Sequence, residues 1–187
     1  MNKNPLENIA DKHIIILHKG DAVITDEMDT FSELDLSNRD ELAETLAKIY
    51  KIEEFPCILA YGDVYSISDM EAVKKREAEF SKKELETAIE TIKKNKRVIF
   101  IKGTPAKPEC KFTREFVSLL KEEGLTDENY TSINILESPA VREGIKEYGD
   151  WPTYPQLYVE GELVGGLDVI KAERARGNIK KCLGLKD

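Results

Sequence analysis

Apolar residues recur along this chain with two periods, and the alternation between them predicts an α/β protein. Ile14 to Leu17 and Val98 to Ile101 are unbroken apolar runs of strand length; Leu34/Leu36 and Ile133/Ile135 alternate with polar neighbours. Ile58 to Ala60 and Leu157 to Val159 are short apolar runs that turn at Gly-Asp or Gly-Glu into a further strand, the pattern of a hairpin. Helical spacing is found in Leu42/Leu46/Ile49, in Val141/Ile145/Tyr148 and in Phe112/Phe116/Val117/Leu119/Leu120. Ser81-Lys-Lys-Glu84 has capping-box spacing, and Leu85, Ala88, Ile89 and Ile92 follow at helical intervals, so a helix is predicted to open at Ser81.

The pattern is one unit written twice. Shifted by 99 positions, residues 33–70 fall on 132–169 without a gap: Leu42 on Val141, Leu46 on Ile145, Phe55-Pro56 on Tyr154-Pro155, Gly62 on Gly161 and Asp69 on Asp168. The opening strands correspond at a shift of 83, so the first half is shorter by 16 residues. The loss falls where the second half carries a cysteine and its helix; the replacement, Asp21 to Phe31, is short, polar and acidic. With no cysteine there, the first half lacks thiol chemistry at that place. Cys57, after Pro56 on an apolar strand, reads as a buried structural cysteine. The boundary is placed near residues 78 to 81, giving domains 1–80 and 81–187 with almost no linker.

At 187 residues, 41% apolar and 34% charged, the chain is long enough for two small cores. No window approaches the roughly 18 uninterrupted apolar residues of a membrane span. Met1 to Asp11 has neither the basic-then-apolar order of a signal peptide nor the Arg-rich, acid-poor character of a transit peptide, so a cytosolic, or cytosolic and nuclear, location is expected. Three cysteines without Cys-x-x-Cys or zinc spacing imply reduced thiols, not a disulfide framework or structural zinc. Residues 1–80 carry 9 Lys/Arg against 18 Asp/Glu, residues 81–187 carry 19 against 18. No nucleic-acid or membrane partner is expected; the acidic half serves solubility or docks a basic partner.

The second half places Cys110 after an apolar strand and ahead of an amphipathic helix, where free N–H groups and the helix dipole favour a thiolate. Such a sulfur is poised to be a nucleophile or a metal ligand. Around it stand Lys102-Gly-Thr-Pro105, then Trp151-Pro-Thr-Tyr-Pro-Gln156 and Gly165-Gly166-Leu167-Asp168. In order and distance these segments resemble the monothiol glutaredoxins, whose signature is a Lys-Gly-Thr-Pro turn, a Cys-Gly-Phe-Ser site, a Trp-Pro-Thr-(aliphatic)-Pro-Gln segment and a Gly-Gly-x-Asp turn. The resemblance runs from about Ile92 to Leu185, with one departure: Cys110-Lys111-Phe112-Thr113 replaces Cys-Gly-Phe-Ser.

The resemblance implies a thioredoxin-like fold, a central mixed β-sheet flanked by helices, and the repeat extends it to two such domains in tandem, the first degenerate and shortened. It implies that Lys102 contacts glutathione and the Cys110 sulfur, and that Arg142 grips a glutathione carboxylate, as bidentate pairing suits. Thr153-Tyr154-Pro155 becomes a loop with a cis proline whose preceding backbone accepts the tripeptide like an added strand. Gly166, Leu167 and Asp168, at the start of the last helix, bind its free ends. The alternatives from the residues alone are a solvated strand-end lysine for Lys102, an exposed helix arginine for Arg142 and a plain N-cap for Asp168.

With Thr113 where a second cysteine would stand, a dithiol cycle is closed off; Cys182 is either a distant resolving thiol or a packing residue on the terminal helix. The family implies that Cys110 and glutathione from each of two chains hold a bridging 2Fe-2S cluster for iron-sulfur trafficking and iron homeostasis, as a homodimer or with a BolA-like protein, and hand it to apo iron-sulfur acceptors. The alternatives are a glutathione-dependent thiol oxidoreductase acting through Cys110 without a cluster, and an inactive scaffold. Lys111 either crowds the cluster face or stabilises its negative charge.

Overall fold

The structure, a computed structural model, describes residues 13–21 and 25–185 of the chain. The expectations for Met1 to Asp11 and for residues 22–24 of the acidic replacement lie outside them. Two units are resolved, Met1–Phe80 and Ser81–Asp187.

In the first unit, β1 (Ile14–His18) pairs in parallel with β2 (Ser32–Asp35) and antiparallel with β3 (Cys57–Ala60), which pairs antiparallel with β4 (Asp63–Ser66). Helix α1 (Asp40–Tyr50) follows β2. In the second, β5 (Arg97–Ile101), β6 (Thr131–Asn134), β7 (Gln156–Val159) and β8 (Glu162–Gly165) repeat the same pairings, and both sheets have the order second-first-third-fourth. Helices α3 (Lys111–Glu122), α4 (Pro139–Tyr148), α5 (Leu167–Ala175) and α6 (Ile179–Cys182) complete it. Each unit is thus a thioredoxin-like α/β fold.

The repeat is kept residue by residue. Strands β2, β3 and β4 begin and end 99 positions before β6, β7 and β8, and β1 lies 83 before β5. Phe55–Pro56 and Tyr154–Pro155 are both cis, and the left-handed residues Lys51 and Tyr61 recur as Asp150 and Glu160.

Helix α2 (Met70–Lys94) corrects one expectation: it does not open at Ser81. No Gly or Pro interrupts residues 70–94, so nothing stops a helix that Asp69 has already started by accepting the Ala72 N–H at 3.2 Å. Glu84, expected to reach back to Ser81, instead accepts from the Ser138 hydroxyl at 2.8 Å. Val73 packs in the first unit's core, and Ala88 and Ile92 in the second's. This helix is not long and apolar enough to cross a membrane, nor is any other among the described residues.

Strand alternation builds each core on two faces. In the second unit Val98, Phe100 and Tyr158 meet α2 and α4 through Ile92, Val141 and Ile145, while Ile99, Ile101 and Leu157 meet α3, α5 and α6 through Phe116, Leu120, Ile170 and Leu183. Full burial of a side chain such as Phe116 is worth about 2–3 kcal/mol. In the first unit α1 covers Leu17, Leu34 and Leu59; the opposite face, Ile16, Ile58 and Ala60, has no counterpart of α3 among the described residues and is covered by Val73 and by Met28 from a 3-10 turn, Asp26–Met28.

Arg97 closes the C-terminal end of the second unit. Its guanidinium, buried, donates to the carbonyls of Leu183 at 2.5 Å, Gly184 at 2.7 Å and Asn129 at 3.4 Å, so acceptors left over at the end of α6 find a charged partner.

Candidate functional site

The thiol is positioned by a turn that only glycine can make. Gly103, directly after Lys102 at the end of β5, has φ +82°, and a Cβ there would collide with the Lys107 carbonyl and sit 2.9 Å from the Glu109 nitrogen. Thr104 and Lys107 exchange backbone hydrogen bonds at 3.1 Å, and Glu109 N–H returns to the Lys102 carbonyl at 3.0 Å. The loop thereby folds back and sets Cys110, half-buried, as the N-cap of α3.

Two polar side chains fix the start of this loop. Thr113, buried on α3, accepts the Lys102 N–H at 3.2 Å; Asn134, ending β6, accepts the N–H groups of Gly103 at 2.8 Å and Leu136 at 3.1 Å and donates to Glu137 at 2.9 Å. The hydroxyl retained at Thr113 therefore holds the backbone beside the thiol. Asn134 was not singled out from sequence; its only sign there is a polar residue ending an alternating strand.

Ser138 caps α4 by accepting the Val141 N–H at 3.1 Å, with Pro139 in the first turn. Arg142 and Lys146, four apart and so on one face, flank Glu143, which takes Lys146 at 2.7 Å and Arg142 at 3.5 Å. The hydrogen bond from Lys146 holds the Glu143 carboxyl below its ordinary range. The α4–β7 loop is ordered by fully buried Gln156, whose amide donates to the Trp151 carbonyl at 3.0 Å and whose oxygen accepts from Tyr158 at 3.0 Å. Burial pushes the Tyr158 hydroxyl up to about 12, and that of Tyr154, which donates to the Arg142 carbonyl at 2.7 Å, upward as well. Among the described residues the Tyr154 amide and carbonyl make no backbone hydrogen bond, which leaves an open peptide edge beside the cis proline.

Lys102, Cys110, Arg142, Thr153, Tyr154, Pro155, Gly166, Leu167 and Asp168 all line one cavity of about 440 Å³. Phe112, Trp151 and Pro152, which stand in the sequence motifs without a site role assigned to them, line it too, as does Lys146, one turn beyond Arg142. Gly166, not Asp168, is the N-cap of α5; Asp168 sits in the first turn, which corrects the plain N-cap reading. Nor is α5 the last helix, since α6 follows it. A Cβ on Gly166 would lie 3.0 Å from the Pro155 carbonyl and 3.4 Å from the buried, unpartnered indole nitrogen of Trp151, so a bare backbone keeps this wall open.

The other thiols stand apart. Cys57 is buried and its thiol is pushed up to about 11 by burial. Cys182 packs against the core and borders a different cavity, with Val164, Val169, Glu173, Asn178 and Lys181; burial, then Glu173, raises its thiol. Among the described residues no group of three His, Cys, Asp or Glu side chains is placed to hold a metal ion.

The glutaredoxin family profile matches residues 98–164. The chain is 45% identical over 92 residues to the probable monothiol glutaredoxin 2 of Rickettsia typhi, covering 49% of this chain and 80% of that protein. It is 34% identical over 164 residues to bovine glutaredoxin-3, covering 82% of this chain and 47% of the relative. The solution structure of a monomeric truncated mutant of Trypanosoma brucei 1-C-Grx1 superposes with a TM-score of 0.46 at 40% identity, covering 52% of this chain and 86% of that one. Against several longer relatives the matched part spans 34% to 66% of their length. With a single cysteine in the cavity, and the Rickettsia relative matched over most of its length, the chain belongs to the monothiol glutaredoxin family.

Proposed function

We propose that the second unit binds glutathione in the Cys110 cavity and that Cys110 and the glutathione sulfur together hold an iron-sulfur cargo for transfer. The observation that carries this reading is the convergence of one thiol, three cations and one carboxylate on one cavity with an open peptide edge. Glutathione has two carboxylates, one ammonium and one thiol, and each finds a partner of the right kind: Lys102, Arg142 and Lys146 for the carboxylates, Asp168 for the ammonium, and the Tyr154 backbone for the cysteine moiety. A charge-assisted hydrogen bond contributes about 1.5–3 kcal/mol, so two or three suffice for a metabolite-range affinity.

One chain and one glutathione supply two sulfur ligands, and a 2Fe-2S cluster requires four. Two chains with two glutathiones complete the set, which makes the holo form a homodimer bridged by its cargo, or a heterodimer with a BolA-like protein, able to pass the cluster to apo acceptors. Lys111 does not line the cavity and so does not crowd a tripeptide held there.

Anaerobic reconstitution with iron, sulfide and glutathione tests this. The expected result is sulfide-to-iron charge-transfer absorption with a mass of two chains, both lost in Cys110→Ser with its thermal melt unchanged. A Cys110→Ser protein that reconstitutes like the parent contradicts it.

The half-buried thiol also favours a second reading, glutathione-dependent exchange. Cys110 sulfur attacks the glutathione sulfur of a mixed disulfide, the protein thiolate leaves with the electron pair and takes a proton, and a second glutathione reduces the Cys110–glutathione disulfide to give oxidised glutathione. Turnover in a coupled deglutathionylation assay, with no cluster formed, would select it.

A further inference from the structure

The segment that carries the thiol is strongly basic inside an acidic chain. From Lys102 to Arg114 it holds Lys102, Lys107, Lys111 and Arg114 against Glu109 alone, while the whole chain has net charge −8. None of these four cations has an ion-pair partner among the described residues, whereas Lys146, Lys171 and Arg174 nearby are each paired with a glutamate.

Lys111 and Arg114 lie three apart on α3, on one side of its first turn, and no acidic residue accompanies them there. Cations at this end of a helix oppose its dipole, so the helix itself gives no reason for them. The Lys111 ammonium sits 4.9 Å over the ring of Phe112, which is 49% exposed and lines the cavity beside Cys110, while Lys111 and Arg114 stay outside that lining. The two cations therefore face what approaches the sulfur from solution, not the tripeptide inside.

We propose that Lys111, Phe112 and Arg114 form a recognition surface for acidic side chains flanking the reacting cysteine of a partner polypeptide. The inference rests on Cys110 as the exchanging thiol and narrows its partners to cysteines in acidic surroundings, whether they receive the cluster or give up glutathione. Charge complementarity selects carboxylates, and the Phe112 ring offers apolar contact to the neighbouring backbone and stems. A short acidic segment stays within about 10 Å of the patch, the reach of charge at moderate salt.

The test uses the full chain and two short peptides identical except that acidic residues flanking a central serine, placed where the reacting cysteine would be, become their amides. Titrations followed by amide shifts are expected to place the acidic peptide on residues 102–114 and to show it binding about three- to tenfold more tightly than its amide twin, the scale of one or two exposed ion pairs. The preference is expected to vanish in Lys111→Glu/Arg114→Glu and at high salt. Equal affinity for the two peptides, a preference that survives the double substitution, stronger binding of a single-stranded RNA oligonucleotide, or an acidic first unit of a second copy occupying the patch would each overturn the proposal. Glutathione titrated into the same proteins keeps its parent affinity in the double variant; loss of glutathione binding in the parent would instead count against the cavity reading and leave the peptide comparison decisive here.

Discussion

The two units share a fold down to strand boundaries and a cis proline, yet the second sets Cys110 in a cavity whereas the cysteine of the first, Cys57, is buried on a strand. Lys19 occupies the position of Lys102, but its ammonium is taken up by Asp40 at 3.3 Å and lies 5.7 Å over the Phe55 ring. Where the second unit has Arg142 on an exposed helix face, the first has Ala43, buried in its core. Asn134 grips Gly103 directly; between its counterpart Asp35 and Gly20 stands Ser37, whose hydroxyl takes the Gly20 N–H at 2.5 Å and donates to Asp35. The difference teaches that register, hairpins and the proline loop are specified by packing and turn residues, which survived, whereas the site depends on one helix and a few polar positions, which did not.

The largest effects should come from the two side chains that cover the same sheet face in different ways. Phe116→Ala on α3 is expected to destabilise the second unit by about 3–5 kcal/mol, and Met28→Ala the first by about 2–5 kcal/mol, because Met28 stands where α3 is missing. Hydrogen exchange resolved to each unit's amides checks this; a Met28→Ala protein with unchanged protection in β1 and β3 would show that the 3-10 turn does not replace the helix.

Swapping the arginine position sharpens the comparison. Ala43→Arg is expected to cost the first unit about 3 kcal/mol or more by burying an unpaired charge, without creating a glutathione site. Arg142→Ala should leave stability nearly unchanged and weaken glutathione binding about ten- to a hundredfold, the worth of one charge-assisted hydrogen bond. Calorimetric titration on the two variants separates these outcomes.

The smallest effect is electrostatic and sits at Asp35. Hydrogen bonds from the Ser37 hydroxyl and N–H hold its carboxyl below the ordinary range. A folded value below the unfolded one means the stabilisation is fully present above the unfolded value and fades as pH falls through the lowered folded value. Ser37→Ala should return the Asp35 titration, followed by NMR, toward an ordinary carboxylate.

Much of this was legible in the sequence because it is written in local terms. The strands follow from short unbroken apolar runs and alternating positions, the repeat from its gapless shift, and nine cavity residues from the family resemblance that the motifs carry. Helix continuity was not: the Ser81 capping box is a valid local signal, but a helix begun at Asp69 without interruption overrides it. The lining roles of Lys146, Trp151 and Phe112 were not legible either, because lining a cavity is a matter of how α4, the proline loop and α3 converge, nor was that of Asn134, because the Gly103 N–H it accepts lies 31 residues earlier.

Glutathione titrated into the full chain, with amide shifts followed in both units, tests the central claim most directly. Shifts at Lys102, Cys110, Arg142, Tyr154 and Asp168, with Lys19, Phe55 and Asp69 unmoved, are the predicted result. Equal shifts in the first unit, or none around Cys110, would contradict the account.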